Sequence, residues 1–282
     1  MIMKENIENI KFSLYQKAEQ LWWLSLLGWI LAVIFALIAI YADDSNLEIV
    51  GVISAVLPFC IIWLRELSAG YSYKADKCRR LILYSDGLGE NPSVSELLLI
   101  KGYMLGDKLS EAFYDPPYYD SVLPVGPARL LDIAGESAFF TKELSEKTVK
   151  VLNVILLSFL FLLVILGLSS KFWLGFAEIS EQGLVNFIQM FSLFILSLVA
   201  GDIFLLRAKY IALATESKNI FESIFLLKKS GDIMVHDVMR LASDYDACVQ
   251  SCPPIPTVIY KKYLQELNNI YKDVVGNGTN KQ

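Results

Sequence analysis

Four apolar runs free of charged residues, Leu21–Ala42, Ile49–Leu64, Val151–Ser170 and Val185–Gly201, alternate with long stretches in which charged and apolar positions recur at helical intervals. A helix rises about 1.5 Å per residue, so about 20 residues cross the roughly 30 Å of bilayer hydrocarbon. Two runs reach that length and Val185–Gly201 sits at the lower bound. Ile49–Leu64 reaches it only if Trp63, Leu64 and the aliphatic stem of Arg65 form its interfacial end. Lipid cannot satisfy open backbone groups, so helix is the spanning element. The pattern predicts an all-α integral membrane protein, with four transmembrane helices that continue into a cytoplasmic helical domain.

The helical pattern does not stop at the ends of the runs. Arg65–Ser85 keeps Leu67, Tyr71, Leu81 and Leu83 recurring among charges, and Ala128–Lys150 and Arg207–Lys229 behave alike. The expected organisation is a cytoplasmic N-terminal helix (1–20), a first membrane hairpin (21–64), a cytoplasmic helical insert (65–150), a second hairpin (151–206) and a cytoplasmic C-terminal helical domain (207–282). Within the insert, Gly87-Leu88-Gly89 and Asn91-Pro92 mark a turn, and Ser93-x-x-Glu96 spells a capping box before a short helix over Leu97–Leu105. Four prolines in Tyr114–Pro127 predict an extended crossing. Gly231-Asp232 reads as a helix stop followed by the cap of a helix over Ile233–Cys252. The Pro253-Pro254-Ile255-Pro256 break separates it from a last amphipathic helix over Thr257–Val275.

Composition sharpens the picture. The 282 residues are 55% hydrophobic and carry 25 basic and 30 acidic side chains. Three basic residues precede the first run, none lies in Asp43–Glu48, eleven lie in Arg65–Lys150, one lies between the third and fourth runs, and ten lie in Arg207–Gln282. The positive-inside bias therefore places both termini and the insert in the cytoplasm. A signal peptide is the competing reading of Leu21–Ala42, but the run is too long and acidic residues mix with the lysines ahead of it. Cys78, Cys248 and Cys252 fall on the reducing side, where disulfides are not expected. A single His in the chain leaves Cys248-x-x-x-Cys252 without a zinc partner set.

No nucleophile elbow, phosphate loop or HExxH motif occurs, so the chain is read as a non-enzyme without cofactor or metal. His236 reads as a packing or interface residue. On the fourth run Asn186, Gln189, Ser192 and Ser197 lead at helical spacing toward Asp202. This stripe is either a pore wall or a helix contact made by small and amide side chains, and the helix contact is favoured from these residues alone. Asp202 is either a solvated helix end or part of a carboxylate ring at an inner mouth. Pro58 removes a backbone hydrogen bond within the second run. Beneath that run Lys74, Lys77, Arg79 and Arg80 cluster beside Tyr71 and Tyr73. Cations beside aromatics bind phosphate and stack on bases, yet the same cluster serves anionic lipid, which is the favoured reading. Arg129 and Lys142, flanking Tyr118-Tyr119, are further ligand-binding candidates. The insert has 11 basic and 13 acidic residues, so any polyanion must use a local pocket.

Three spellings carry a resemblance: Tyr118-Tyr119-Asp120 with Pro124-Val125-Gly126-Pro127-Ala128-Arg129, then Glu136-Ser137-Ala138-Phe139-Phe140-Thr141, and the tail Asp237–Cys252 with its proline break and Ile259-Tyr260. With them the chain resembles the bacterial four-transmembrane effectors encoded beside nucleotidyltransferases in antiphage defence, the Hailong-type effector above all and the SMODS-associated four-span proteins more widely. The resemblance implies a homo-oligomer, a tetramer by preference, in the bacterial inner membrane. It implies a pore that depolarises the membrane when open, set by a nucleotide or oligodeoxynucleotide ligand from a nucleotidyltransferase encoded nearby. In the Hailong-type arrangement a short DNA oligomer keeps the pore closed; in related systems a nucleotide opens it. The alternative is a membrane-anchored nucleotide sensor or scaffold without a pore. A small transporter would call for broken helices, of which Pro58 is the only sign.

Overall fold

The computed structural model describes residues 2–41, 44–104, 121–173 and 203–279. These residues form seven α-helices and no strand: α1 (Ile2–Tyr41), α2 (Asp44–Leu88), α3 (Val94–Met104), α4 (Pro127–Trp173), α5 (Ile203–Ser230), α6 (Val235–Gln250) and α7 (Thr257–Thr279). The all-α class is as the periodicity predicts. Among the described residues no helix is both long enough and apolar enough to cross a membrane. The run Val185–Gly201 lies outside the described residues.

The chain packs as two units. The first comprises Met1–Glu19, Ala69–Thr148 and Lys209–Gln282; the second comprises Gln20–Ser68 and Val149–Ala208. Helices α1, α2, α4 and α5 each contribute residues to both.

The first unit is built on one apolar core. Ile10 and Leu14 of α1, Ile82 and Leu83 of α2, Leu130 and Leu131 of α4, Ile224 of α5 and Leu241 of α6 meet there. A smaller cluster joins Leu144 of α4 to Ile259 and Leu267 of α7. Helix α2 ends where Gly89 takes a φ of 72° and donates its N–H to the Ser85 carbonyl at 3.0 Å. Gly87 has no room for a side chain, since a Cβ there would stand 2.7 Å from Cβ of Leu130. The capping box forms: the Ser93 N–H meets Glu96 Oε2 at 2.8 Å and the Glu96 N–H meets Ser93 Oγ at 3.3 Å. The helix it starts, α3, begins three residues before the expected Leu97. Gly231, with φ of 74°, ends α5. Asp232 does not cap α6, however. The Met234 carbonyl accepts the N–H of Asp237 and Val238, so the helix starts without a side-chain cap. Pro58 lies inside a continuous α2 and does not divide it.

The second unit buries Ile61, Leu152, Ile203 and Leu206 but leaves many other large apolar side chains exposed. Ser25 and Ser68 are buried, and the Ser25 hydroxyl donates to the Trp22 carbonyl at 2.7 Å. Gly28 of α1 lies against Ile61 of α2, and Trp29 is buried. Large apolar side chains face outward on each of its described helices: Leu24, Leu27, Leu31 and Ile34 on α1, Phe59 and Trp63 on α2, Leu157 and Phe161 on α4, Phe204 and Leu205 on α5. Phe59 is 74% exposed and Phe161 67%. Single exposed apolar residues are ordinary on any protein, but a surface covered with them marks a contact with lipid or another chain.

Candidate functional site

The polar chemistry of the first unit divides along α2 into a buried face and an exposed one. Ser72, Ala75, Asp76, Arg79, Ile82 and Leu83 recur at three and four residues and all are buried. Tyr73, Lys77, Arg80 and Tyr84 recur at the same interval on the other side, with Tyr73 and Arg80 exposed and Lys77 and Tyr84 partly so.

The buried face centres on Arg79. Its Nη2 donates to Asp246 Oδ1 at 2.8 Å, joining α2 to α6, and its Nε lies 3.5 Å from Asp76 Oδ1 one turn earlier. Tyr15 of α1 donates its hydroxyl to Asp76 Oδ1 at 2.6 Å. The guanidinium carbon lies 5.1 Å from the Tyr245 ring centre, and the Tyr245 hydroxyl pairs with Thr141 of α4 at 2.8 Å. Four helices are thus linked through one cation, α1 by way of Asp76 and α4 by way of Tyr245. Desolvation pushes Asp76 and Asp246 above the ordinary carboxylate value, opposed chiefly by the charge of Arg79. Burial likewise raises Tyr15 well above the usual phenol, so it remains a donor. Nearby, Lys11 is 3% exposed, and burial lowers it to about 8 against the charges of Glu8 and Asp86.

The exposed face is a series of cation and ring pairs. Lys77 Nζ sits 4.6 Å from the Tyr73 ring centre and Arg80 Cζ 5.5 Å from Tyr84, while half-buried Lys74 lies 5.2 Å from Tyr71, which packs against the core. Arg80 also lies 3.6 Å from Asp246 Oδ2, which ties the exposed series to the buried cluster.

The ligand-binding candidates among the described residues each have a definite place. Arg79 is in the core, engaged by carboxylates of α2 and α6. Its position on the stripe Ser72, Ala75, Arg79, Ile82 was the available signal of burial. Arg80 is exposed on α2 and Lys74 is half-buried. Arg129 fastens the chain before α4: its Nε donates to the Asp86 carbonyl at 2.9 Å and its Nη1 to those of Ser121 and Leu123 at 2.9 and 2.6 Å. The Gly126 N–H to Gly87 carbonyl bond of 2.8 Å completes that junction. Lys142 pairs with Glu143 at 2.6 Å and Glu146 at 3.8 Å. Tyr118, Tyr119 and the stripe Asn186, Gln189, Ser192, Ser197 and Asp202 lie outside the described residues.

Sequence reasoning had not marked Tyr15, Asp76, Thr141, Tyr245 or Asp246, which come together only through tertiary contacts. His236 is exposed, 3.5 Å from Asp237. Cys248 and Cys252 are free thiols, with burial pushing Cys252 up to about 12. Among the described residues no group of His, Cys, Asp and Glu has the makings of a metal site. Comparison with family models, curated proteins and solved structures gives no match.

Proposed function

We propose that this chain is a homo-oligomeric membrane pore of bacterial antiphage defence. A nucleotide or short DNA oligomer from a partner nucleotidyltransferase governs it, and it depolarises the inner membrane when open. One observation carries the membrane half of the reading. The second unit buries Ser25 and Ser68, sets Gly28 close to Ile61, and beside its buried Trp29, Ile61 and Leu152 exposes Leu, Ile and Phe side chains on each described helix, which suits helices whose solvent is lipid. Aromatics reinforce it. Trp22 and Trp23 stand at the start of the first run and the exposed Trp63 at the end of the second, both at the face that the charge bias makes cytoplasmic.

The ligand half is supported by the exposed face of α2, where Tyr73, Lys77, Arg80 and Tyr84 offer alternating rings and cations. That combination suits the phosphates and bases of a nucleotide or single strand. Arg79 supports the face from within by holding α2 against α6. The fourth run, with Gln189, is assigned to the pore wall, and Asp202, just past its end, to the inner mouth. One subunit has too few helices to enclose water, so conduction requires several copies.

Ion flux from vesicles containing the purified chain tests the reading, with mononucleotides and single-stranded DNA oligomers of roughly four to sixteen nucleotides as probes. Flux that responds to one of these probes supports it. Vesicles sealed under every condition leave the anchored sensor without a pore, and a chain conducting as a monomer refutes the oligomeric pore. Lys77→Glu with Arg80→Glu should weaken oligomer binding about tenfold with the spans still inserted. Gln189→Ala or Asp202→Asn should change conductance or ion preference, and identical currents would return that helix to packing alone.

A further inference from the structure

Three of the helices shared between the two units are gripped, at or next to their last residues within the first unit, by one piece of chain, Pro254–Glu266. Unit one ends at Glu19 on α1 and at Thr148 on α4, and resumes at Lys209 on α5. Glu19 accepts the Thr257 backbone N–H at 3.0 Å and also the Thr257 hydroxyl. Tyr210 of α5 donates its hydroxyl to the Pro254 carbonyl at 2.9 Å. Lys147 of α4 lies 3.7 Å from Glu266 and 4.5 Å from the Tyr263 ring centre, both on α7.

The chemistry of the grip follows from the proline break. The first N–H groups of a helix have no partner within it. Pro256, directly before α7, offers no side-chain acceptor; its carbonyl takes the N–H of Ile259 and Tyr260 at 2.9 and 3.1 Å. The cap comes from Glu19, 238 residues away in sequence, which places an anion at the positive end of α7. Three prolines in four residues make the turn stiff, so its two ends cannot be displaced independently. Tyr210 is buried, and burial raises its hydroxyl well above the usual value, with Cys252 and Glu19 adding to the rise; it therefore stays a donor.

We propose that the Pro253–Pro256 turn and the first ten residues of α7 form a collar that holds α1, α4 and α5 together where they leave the first unit, and that seating or unseating this collar sets whether those helices can rearrange. The collar deepens the pore reading and rests on it for the effect on flux; the mechanical grip stands apart from that reading.

Full-length protein in vesicles, with Glu19→Ala, Glu19→Gln and Tyr210→Phe, tests both parts. Tyr210→Phe keeps the ring in the core and loses only the hydroxyl, which guards against a simple folding failure. Amide exchange in Glu19→Ala should rise about fivefold across residues 16–24, 145–152 and 206–213, including the two segments that Glu19 does not touch, with Glu19→Gln intermediate. Maleimide labelling of Cys252, which is buried beside this turn, should accelerate in parallel. Basal ion flux should shift by about threefold or more. Faster exchange confined to the first turn of α7, or no change, would overturn the collar by reducing Glu19 to a local cap. Exits that loosen with wild-type flux intact would overturn its part in gating. Loosened exits in a protein that never conducts, wild type included, would sink the pore and leave the grip standing.

Discussion

Replacing Arg79 by Met keeps the volume of the side chain and removes the cation shared by two buried carboxylates. In the wild type that guanidinium lies 2.8 Å from Asp246 and 3.5 Å from Asp76, and both acids are already raised above 3.8 by burial. Without Arg79 each acid must remain charged with less compensation or take up a proton. Protonating a group whose unfolded value is 3.8 costs about 4 kcal/mol at pH 7 and about 1.6 kcal/mol at pH 5, at 1.36 kcal/mol per unit. Tyr15 still donates to Asp76 and Arg80 still faces Asp246, so the penalty stays below that of two fully orphaned acids. The expected loss is about 3–5 kcal/mol at pH 7, in line with breaking other buried pairs. That corresponds to a fall in thermal midpoint on the order of 10 °C. The sign with pH is fixed by the direction of the shifts. An acid raised in the folded state binds its proton more tightly there, so the mutant regains stability relative to wild type as pH falls from 7 to 5. Near-ultraviolet circular dichroism of the detergent-purified protein, melted at both pH values, reads this directly. A loss below about 1 kcal/mol at pH 7, or one that does not shrink by pH 5, would refute the cluster as described.

Two further substitutions probe the same unit. Lys11→Met should stabilise the protein by up to about 3 kcal/mol at pH 7, because burial lowers the ammonium from 10.5 to about 8 and its charged form carries that penalty fully below pH 8. Between pH 8 and 10.5 the native lysine sheds its proton before the unfolded one does, so the gain should fall to roughly 1.4 kcal/mol at pH 9.5; a gain constant across pH would refute it. Gly87→Ala should destabilise by about 2 kcal/mol or more, since its Cβ would stand 2.8 Å from the Leu130 backbone, measured by the same melts. An alanine variant of wild-type stability would show that α2 and α4 can separate there.

The helical class, the capping box at Ser93 and the stop at Gly231 were legible in the chain, because each depends on residues within a few positions of one another. Apolar spacing of three and four marks a helix whatever surrounds it, and a serine three residues before a glutamate closes its own ring of hydrogen bonds. The same locality explains the misplaced cap: Asp232 has the right chemistry, but the chain leaves Gly231 on a path that makes Met234 the first helical acceptor. Arg79 and Arg80 are neighbours in sequence with equal claims on a ligand, yet the 100° turn between them sends one into the core and the other into solvent. Arg79 goes inward with Ala75, Ile82 and Leu83 in the same register, but the carboxylate that pairs with it there, Asp246, is 167 residues away. The capping of α7 by Glu19 is of the same kind, a bond between groups 238 residues apart. Sequence alone determined what is decided by adjacency and period: helices, their local caps, and the apolar runs. Tertiary structure decided which charges share a site, since a buried ion is stable only where distant parts of the chain bring it a partner.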